Sequence, residues 1–123
     1  MIKHIDFVAV PVQDMARARS FYEGKLGLQA SGVYGDQFVE YDVGGTTVAL
    51  GRVEAMGMPF APVTTGSLAL GVDDVEAFSA QLRAQGVAFP AQAMDSGVCH
   101  MVMFHDSEGN ALMLHHRYAP EPA

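Results

Sequence analysis

HIDFVAVPVQDMARARSFYEGKLG (residues 4–27) and SLALGVDDVEAFSAQLRAQG (residues 67–86) carry the same pattern: a strand-like run reaching Val-x-Asp, an amphipathic helix, and a closing glycine. An offset of sixty residues lays Phe7 on Ser67, Val12 on Val72 and Asp14 on Asp74. Repetition at a fixed offset marks duplicated modules. Neither half is long enough to bury a full hydrophobic face alone, so the two are expected to form one domain over residues 1–123 with a groove where they meet. The first module spans 1–51, a linker or lid 52–65, the second module 66–118 and a tail 119–123.

Within the first module, residues 4–10 read as a strand rich in β-branched and aromatic side chains, with Pro11 where the strand leaves the sheet. Asp14 is placed to cap a helix on which Met15, Ala18, Tyr22 and Leu26 recur at helical spacing, and Gly27 stops it. Residues 28–34 form a weaker extended stretch. Gly44-Gly45 separates runs 37–43 and 46–51, a hairpin signal because both central residues of a type I′ turn need positive φ. The second module repeats the order. Residues 67–72 form a strand, Asp73 caps a helix in a capping box with Glu76, and Val75, Phe78 and Leu82 face the sheet. Residues 87–91 are short and extended, 98–105 and 111–116 are strands about the DSEGN turn, and the Pro-rich tail frays. Each module therefore reads βαβββ, an α+β fold.

Composition narrows the function classes. Half the residues are apolar, and 14 acidic residues against 7 basic ones give a net charge of −7. That balance offers no basic patch to a nucleic-acid backbone or an anionic membrane and favours a small-molecule ligand, neutral or cationic. No apolar run reaches spanning length and no signal-peptide pattern opens the chain, so a cytoplasmic protein is expected. The single cysteine, Cys99, excludes an internal disulfide and reads as a small buried apolar residue.

The duplicated order, the opening HIDFVAVPVQDMARARSFYEGKLGL and the closing FHDSEGNALML together resemble the vicinal oxygen chelate superfamily of glyoxalases, bleomycin-resistance proteins and extradiol dioxygenases. The resemblance implies a glyoxalase/bleomycin-resistance/dioxygenase-type fold with a groove between curved mixed sheets, and dimers whose modules pair across chains. In metal-dependent members His, Gln or Glu project into the groove from four strand positions. By motif these fall on Phe7, Ala49, Ser67 and Met113. None is a credible ligand for a hard divalent cation, so the expectation is no metal and no cofactor.

Alternation from these four positions defines the face on which function is sought. A two-residue turn at Gly44-Gly45 sets Glu40 opposite Ala49, with Phe38 and Asp42 on the same face. Pairing Phe104 with Leu112 sets Met103 opposite Met113 and Met101 opposite His115, with His105 nearer the turn. Phe7, Phe38, Ala49, Ser67, Met101, Met103, His105 and Met113 are thus the expected ligand-binding residues, although Met and Phe on one strand face are also ordinary core. Glu40 and His115 are the candidate acid-base pair; an ionised Glu40 would instead anchor a cationic ligand. His105 and His115 stand four residues apart on the ladder, roughly 13 Å, too far for one ion. The leading expectation is a metal-free small-molecule-binding protein acting as a homodimer. The alternative is an enzyme, whether lyase, isomerase or dioxygenase, with Glu40/His115 chemistry or a non-standard metal site.

Overall fold

The computed structural model describes residues 1–65 and 68–121. By its contacts the chain divides into two units, Met1–Pro62 and Val63–Ala123. Each is a four-stranded mixed sheet with a helix on one face.

In the first unit, strand β1 (Val8–Val12) leads into helix α1 (Met15–Arg19), and β2 (Ala30–Tyr34), β3 (Phe38–Val43) and β4 (Thr46–Arg52) follow. The sheet order is β1-β4-β3-β2, with β1 parallel to β4 and the other pairs antiparallel. The strand expected over residues 4–10 starts four residues later and runs through Pro11, which pairs with Gly51. β1 is an edge strand, where a proline need not interrupt the ladder. Residues 1–7 carry strand-forming side chains but lie outside any strand, and Ile5 is 78% exposed.

Asp14 caps α1 as expected, accepting a hydrogen bond from the Arg17 amide at 3.0 Å. The helix does not stay α-helical to Gly27. It widens into a π-helix over Ser20–Lys25, in which the Leu26 amide reaches the Phe21 carbonyl at 3.0 Å. This i→i+5 winding turns both Phe21 and Tyr22 inward, so Phe21 joins Met15, Ala18 and Tyr22 against Val39, Tyr41, Val48 and Leu50, while Leu26 is only half-buried. Beneath the π-helix, the Tyr41 hydroxyl donates to Glu23 at 2.9 Å and Arg19 Nε donates to the same carboxylate oxygen at 2.7 Å. Burial and then the bond to Glu23 push the Tyr41 phenol up, while the Arg19 hydrogen bond holds the Glu23 carboxyl down despite its partial burial. The Gly-Gly hairpin forms as read: Gly44 and Gly45 have φ of 60° and 92°, and Asp42 accepts from the Gly45 amide at 2.9 Å.

The second unit repeats the plan with β5 (Leu68–Gly71), α2 (Val75–Ala84), β6 (Met94–Asp95), β7 (Cys99–His105) and β8 (Ala111–Arg117), ordered β5-β8-β7-β6. The α2 cap is Asp74 rather than Asp73. Its backbone is extended and its carboxylate accepts from the Ala77 amide at 3.0 Å. Ser79 lies on the buried face of α2 with Val75 and Leu82, and Phe78 is only half-buried. Residues 87–91 form no strand; the third strand is the two-residue β6. Cys99 is buried and forms no disulfide. Val102, Phe104, Leu112 and Leu114 are at most 1% exposed and fill the space beneath α2, each such side chain contributing about 1.5–3 kcal/mol of burial.

The DSEGN turn closes β7 onto β8. Buried Asp106 accepts from the Glu108 and Asn110 amides at 2.8 and 2.9 Å and from Asn110 Nδ2 at 2.9 Å. Asn110 Oδ1 accepts from the Val63 amide at 2.8 Å, and the Ala111 amide donates to the Val63 carbonyl at 2.7 Å. One asparagine side chain thus fastens the start of the second unit to its closing turn.

Candidate functional site

Each sheet hides one face under its helix and leaves the other uncovered by its own helix. The registers settle which residues share that second face. In the first unit one row crosses four strands as Ala9, Ala49, Glu40 and Gly32, and the next as Pro11, Gly51, Phe38 and Tyr34. Glu40 therefore stands opposite Ala49, as the hairpin count requires, and Asp42 opposite Thr47. Phe7 lies just before β1 and meets Phe38 edge-on at 5.5 Å between ring centroids; Tyr34 meets Phe38 at 6.1 Å. The floor is low because of residue size: Ala9, Ala49, Gly51 and Gly32 carry at most a methyl group. Over Gly51 lies the Met56 methyl, 3.2 Å from where a Cβ would stand, brought there by the 3-10 helix Val53–Met56.

In the second unit Met103 stands opposite Met113, Met101 opposite His115 and His105 opposite Ala111, again as counting across DSEGN requires. Ala69 and Gly71 flank Met113 and His115 on β5, and Met94 pairs with Met101 on β6. Met101, Met103, His105, Met113 and His115 are all half-buried. This face is a thioether surface edged by two imidazoles. Ser67 lies outside the described residues.

Tyr34 and Met56 extend the list read from sequence. Tyr34 was within reach of the same strand count, since it pairs with Phe38. Met56 was not, because no periodicity marks a single 3-10 turn. His4 is exposed beside Asp6, at 2.7 Å, ahead of the strand to which sequence assigned it. His100 and His116 pair on the helix side of the second sheet, as alternation requires. There a recess of about 530 Å³ is lined by Asp73, Asp74, Glu76, Asp95, His100, His116 and Tyr118 among others. The Gly97 amide, and then the Tyr118 hydroxyl donating at 2.7 Å, hold the Asp95 carboxyl low.

The metal chemistry implied by the resemblance does not fit these residues. Phe7, Ala49 and Met113 offer a ring, a methyl and a thioether where carboxylate or imidazole would be needed. Among the described residues, no three His, Cys, Asp or Glu side chains converge so as to hold a metal ion. Nor, among them, is any helix long and apolar enough to cross a membrane.

The model of the Glyoxalase/Bleomycin resistance protein/Dioxygenase superfamily matches residues 4–114. Similar solved structures include the antibiotic-binding protein TnmS3 from Streptomyces sp. CB03234, at 26% identity and TM-score 0.77, covering 94% of this chain and 97% of that one. A lactoylglutathione lyase from Agrobacterium tumefaciens is similar at 18% identity and TM-score 0.77, covering 94% of both chains. The fosfomycin resistance protein FosX from Listeria monocytogenes is similar at 15% identity and TM-score 0.73, again over 94% of both. No curated protein sequence matches. The family match runs through both βαβββ units and the closing turn, and the chain belongs to the glyoxalase/bleomycin resistance protein/dioxygenase superfamily.

Proposed function

We propose that this protein is a small-molecule-binding protein that needs no divalent metal, and that each unit offers a partly hydrophobic organic ligand its helix-free sheet face, the first bearing Phe7, Phe38 and Ala49 and the second bearing Met101, Met103 and Met113. What carries the reading is that Phe7, Ala49 and Met113 occupy the positions to which the resemblance assigns the ligands of metal-dependent members. Aromatic rings and thioethers adapt to an apolar ligand and desolvate a hard cation without compensating it. Support comes also from TnmS3, whose description is an antibiotic-binding protein. On the first unit's face Glu40 is the charged group, and on the second unit's face His105 and His115 complete the proposed contacts. The ligand is the partner, in the cytoplasm, and nucleic acid is not.

The working form is a homodimer with modules paired across chains. β1 and β5 each pair with a single strand among the described residues, leaving edges that a second chain can cover. Light scattering on the eluting protein tests this; a monomer at all concentrations contradicts it.

The test of binding is a thermal-shift screen of apolar and amine-bearing compounds in chelator-treated buffer. A ligand at a hundredfold its Kd adds about 2.7 kcal/mol and several degrees. Stabilisation only after a divalent ion is added would overturn the reading and favour the enzyme alternative.

A further inference from the structure

Four carboxylates among the described residues are half-buried or buried: Glu23, Glu40, Asp106 and Glu108. Three are partnered. Arg19 and Tyr41 bond Glu23, the amides of its own turn bond Asp106, and the Ser107 hydroxyl donates to Glu108 at 3.0 Å. Glu40 has no hydrogen-bond or ion-pair partner among the described residues of its unit. A carboxylate withdrawn from water costs free energy unless a cation or donors replace the lost hydration. None of the unit's strands supplies a cation on this face, since Arg52 lies on the alternate face of β4 and pairs with Asp36 at 3.4 Å.

The surroundings of Glu40 specify what would complete it. The space above Gly32 is filled from two sides: a Cβ placed there would lie 3.1 Å from Glu40 Oε1, 3.2 Å from Tyr34 Cε2 and 3.3 Å from the Tyr34 hydroxyl. Carboxylate and phenol ring therefore converge on one point. Phe38 stands beside Tyr34 in the adjoining row and Phe7 closes on Phe38. One carboxylate among three aromatic rings cannot supply the six or more oxygens a hard divalent ion takes. It matches an alkylated ammonium, whose charge lies against the carboxylate and whose methyl groups lie on ring faces within about 6 Å of their centroids.

We propose that Glu40, Tyr34, Phe38 and Phe7 form a site for an organic ammonium cation, so that the ligand of this protein is an amine or quaternary ammonium on an apolar body. The assignment rests on the small-molecule-binding reading and narrows it. The net charge of −7 draws such a cation toward the protein.

The probes are benzyltrimethylammonium, its neutral isostere neopentylbenzene and the anion benzenesulfonate, titrated into the full chain and followed by amide NMR. The expected result is that the cation binds about tenfold or more tightly than the isostere, with shifts centred on residues 32, 34, 38 and 40. Glu40→Gln, with its folding checked by thermal melt, is expected to abolish that preference and leave the affinity for the isostere. Tyr34→Leu, on the edge-side strand, is expected to weaken the cation more than the isostere. Equal affinity for cation and isostere in the unmodified protein, or a preference that survives Glu40→Gln, would overturn the ammonium site and leave small-molecule binding standing. Binding of none of the three would also overturn it. The broader reading is tested separately by the compound screen, and fails if that screen finds nothing or finds stabilisation only with a divalent ion.

Discussion

Replacing Asn110 by alanine removes at least two bonds from a side chain that is 1% exposed. The Val63 amide loses its acceptor at 2.8 Å, and Asp106 Oδ2 loses the Nδ2 donor at 2.9 Å. An unmade bond leaves its partner to bear its own desolvation, about 1–3 kcal/mol each and more for a charged group. Val63 is half-buried, so its amide recovers some hydration; Asp106 is 6% exposed and recovers little. The sum is about 3 kcal/mol from a total stability on the order of 5–15 kcal/mol. For a chain of this size that lowers Tm by roughly 10 °C or more. Urea unfolding of the wild type, Asn110→Ala, Asp106→Ala and the double variant would give the cycle. The account requires an unchanged urea slope for the single variants and a coupling of at least about 1 kcal/mol between the two residues. A loss below about 1 kcal/mol for Asn110→Ala, or additivity within about 0.5 kcal/mol, would refute the idea that this turn fastens the second unit.

Gly32→Ala places a methyl 3.1 Å from Glu40 Oε1 and 3.2 Å from the Tyr34 ring, so ligand affinity is expected to fall severalfold while stability stays within about 1 kcal/mol; unaltered affinity would remove Glu40 and Tyr34 from the site. The Glu23 carboxyl sits below its ordinary value of 4.5 in the folded chain, so its contribution is full above that pH and is lost as pH falls through the folded value. With Arg19 and Glu23 side chains 36% and 31% exposed, that contribution is under about 1 kcal/mol; Glu23→Gln should flatten the acid limb of a pH–Tm profile, and an unchanged limb would contradict the assignment. Tyr41→Phe keeps the Arg19 bond and should cost about 1 kcal/mol by urea unfolding, whereas a neutral result would mean the hydroxyl is rehydrated in place. Leu82→Ala empties a fully buried position under the second sheet and should cost about 2–5 kcal/mol, a smaller loss meaning that α2 collapses onto the gap.

Local chemistry made the registers legible. Gly44-Gly45 admits a two-residue turn, which by itself places Glu40 opposite Ala49, and DSEGN does the same for Met103 and Met113. The sixty-residue offset likewise gave the βαβββ order. What stayed hidden depended on partners or on a change of winding. Residues 4–7 have strand composition, yet a strand exists only where another strand pairs with it, and the ladder to β4 begins at Val8. The π-helix shifts which residues face inward by one position, and a 3.6-residue period misses that, so Phe21 went unread. Asp73 and Asp74 are chemically equal caps; the extended backbone at Asp74 decides between them. In the site, small residues could be counted but not the approach of Met56 over Gly51 or of Tyr34 beside Glu40, both products of tertiary packing.

Absence of a resident divalent metal is measured most directly by elemental analysis of the protein after incubation with zinc, nickel, manganese and ferrous iron and exhaustive desalting. The expected result is metal well below one ion per chain with every ion, together with ligand-induced stabilisation that a chelator leaves intact. One tightly held divalent ion per chain would contradict it and return the family's metal chemistry to this scaffold.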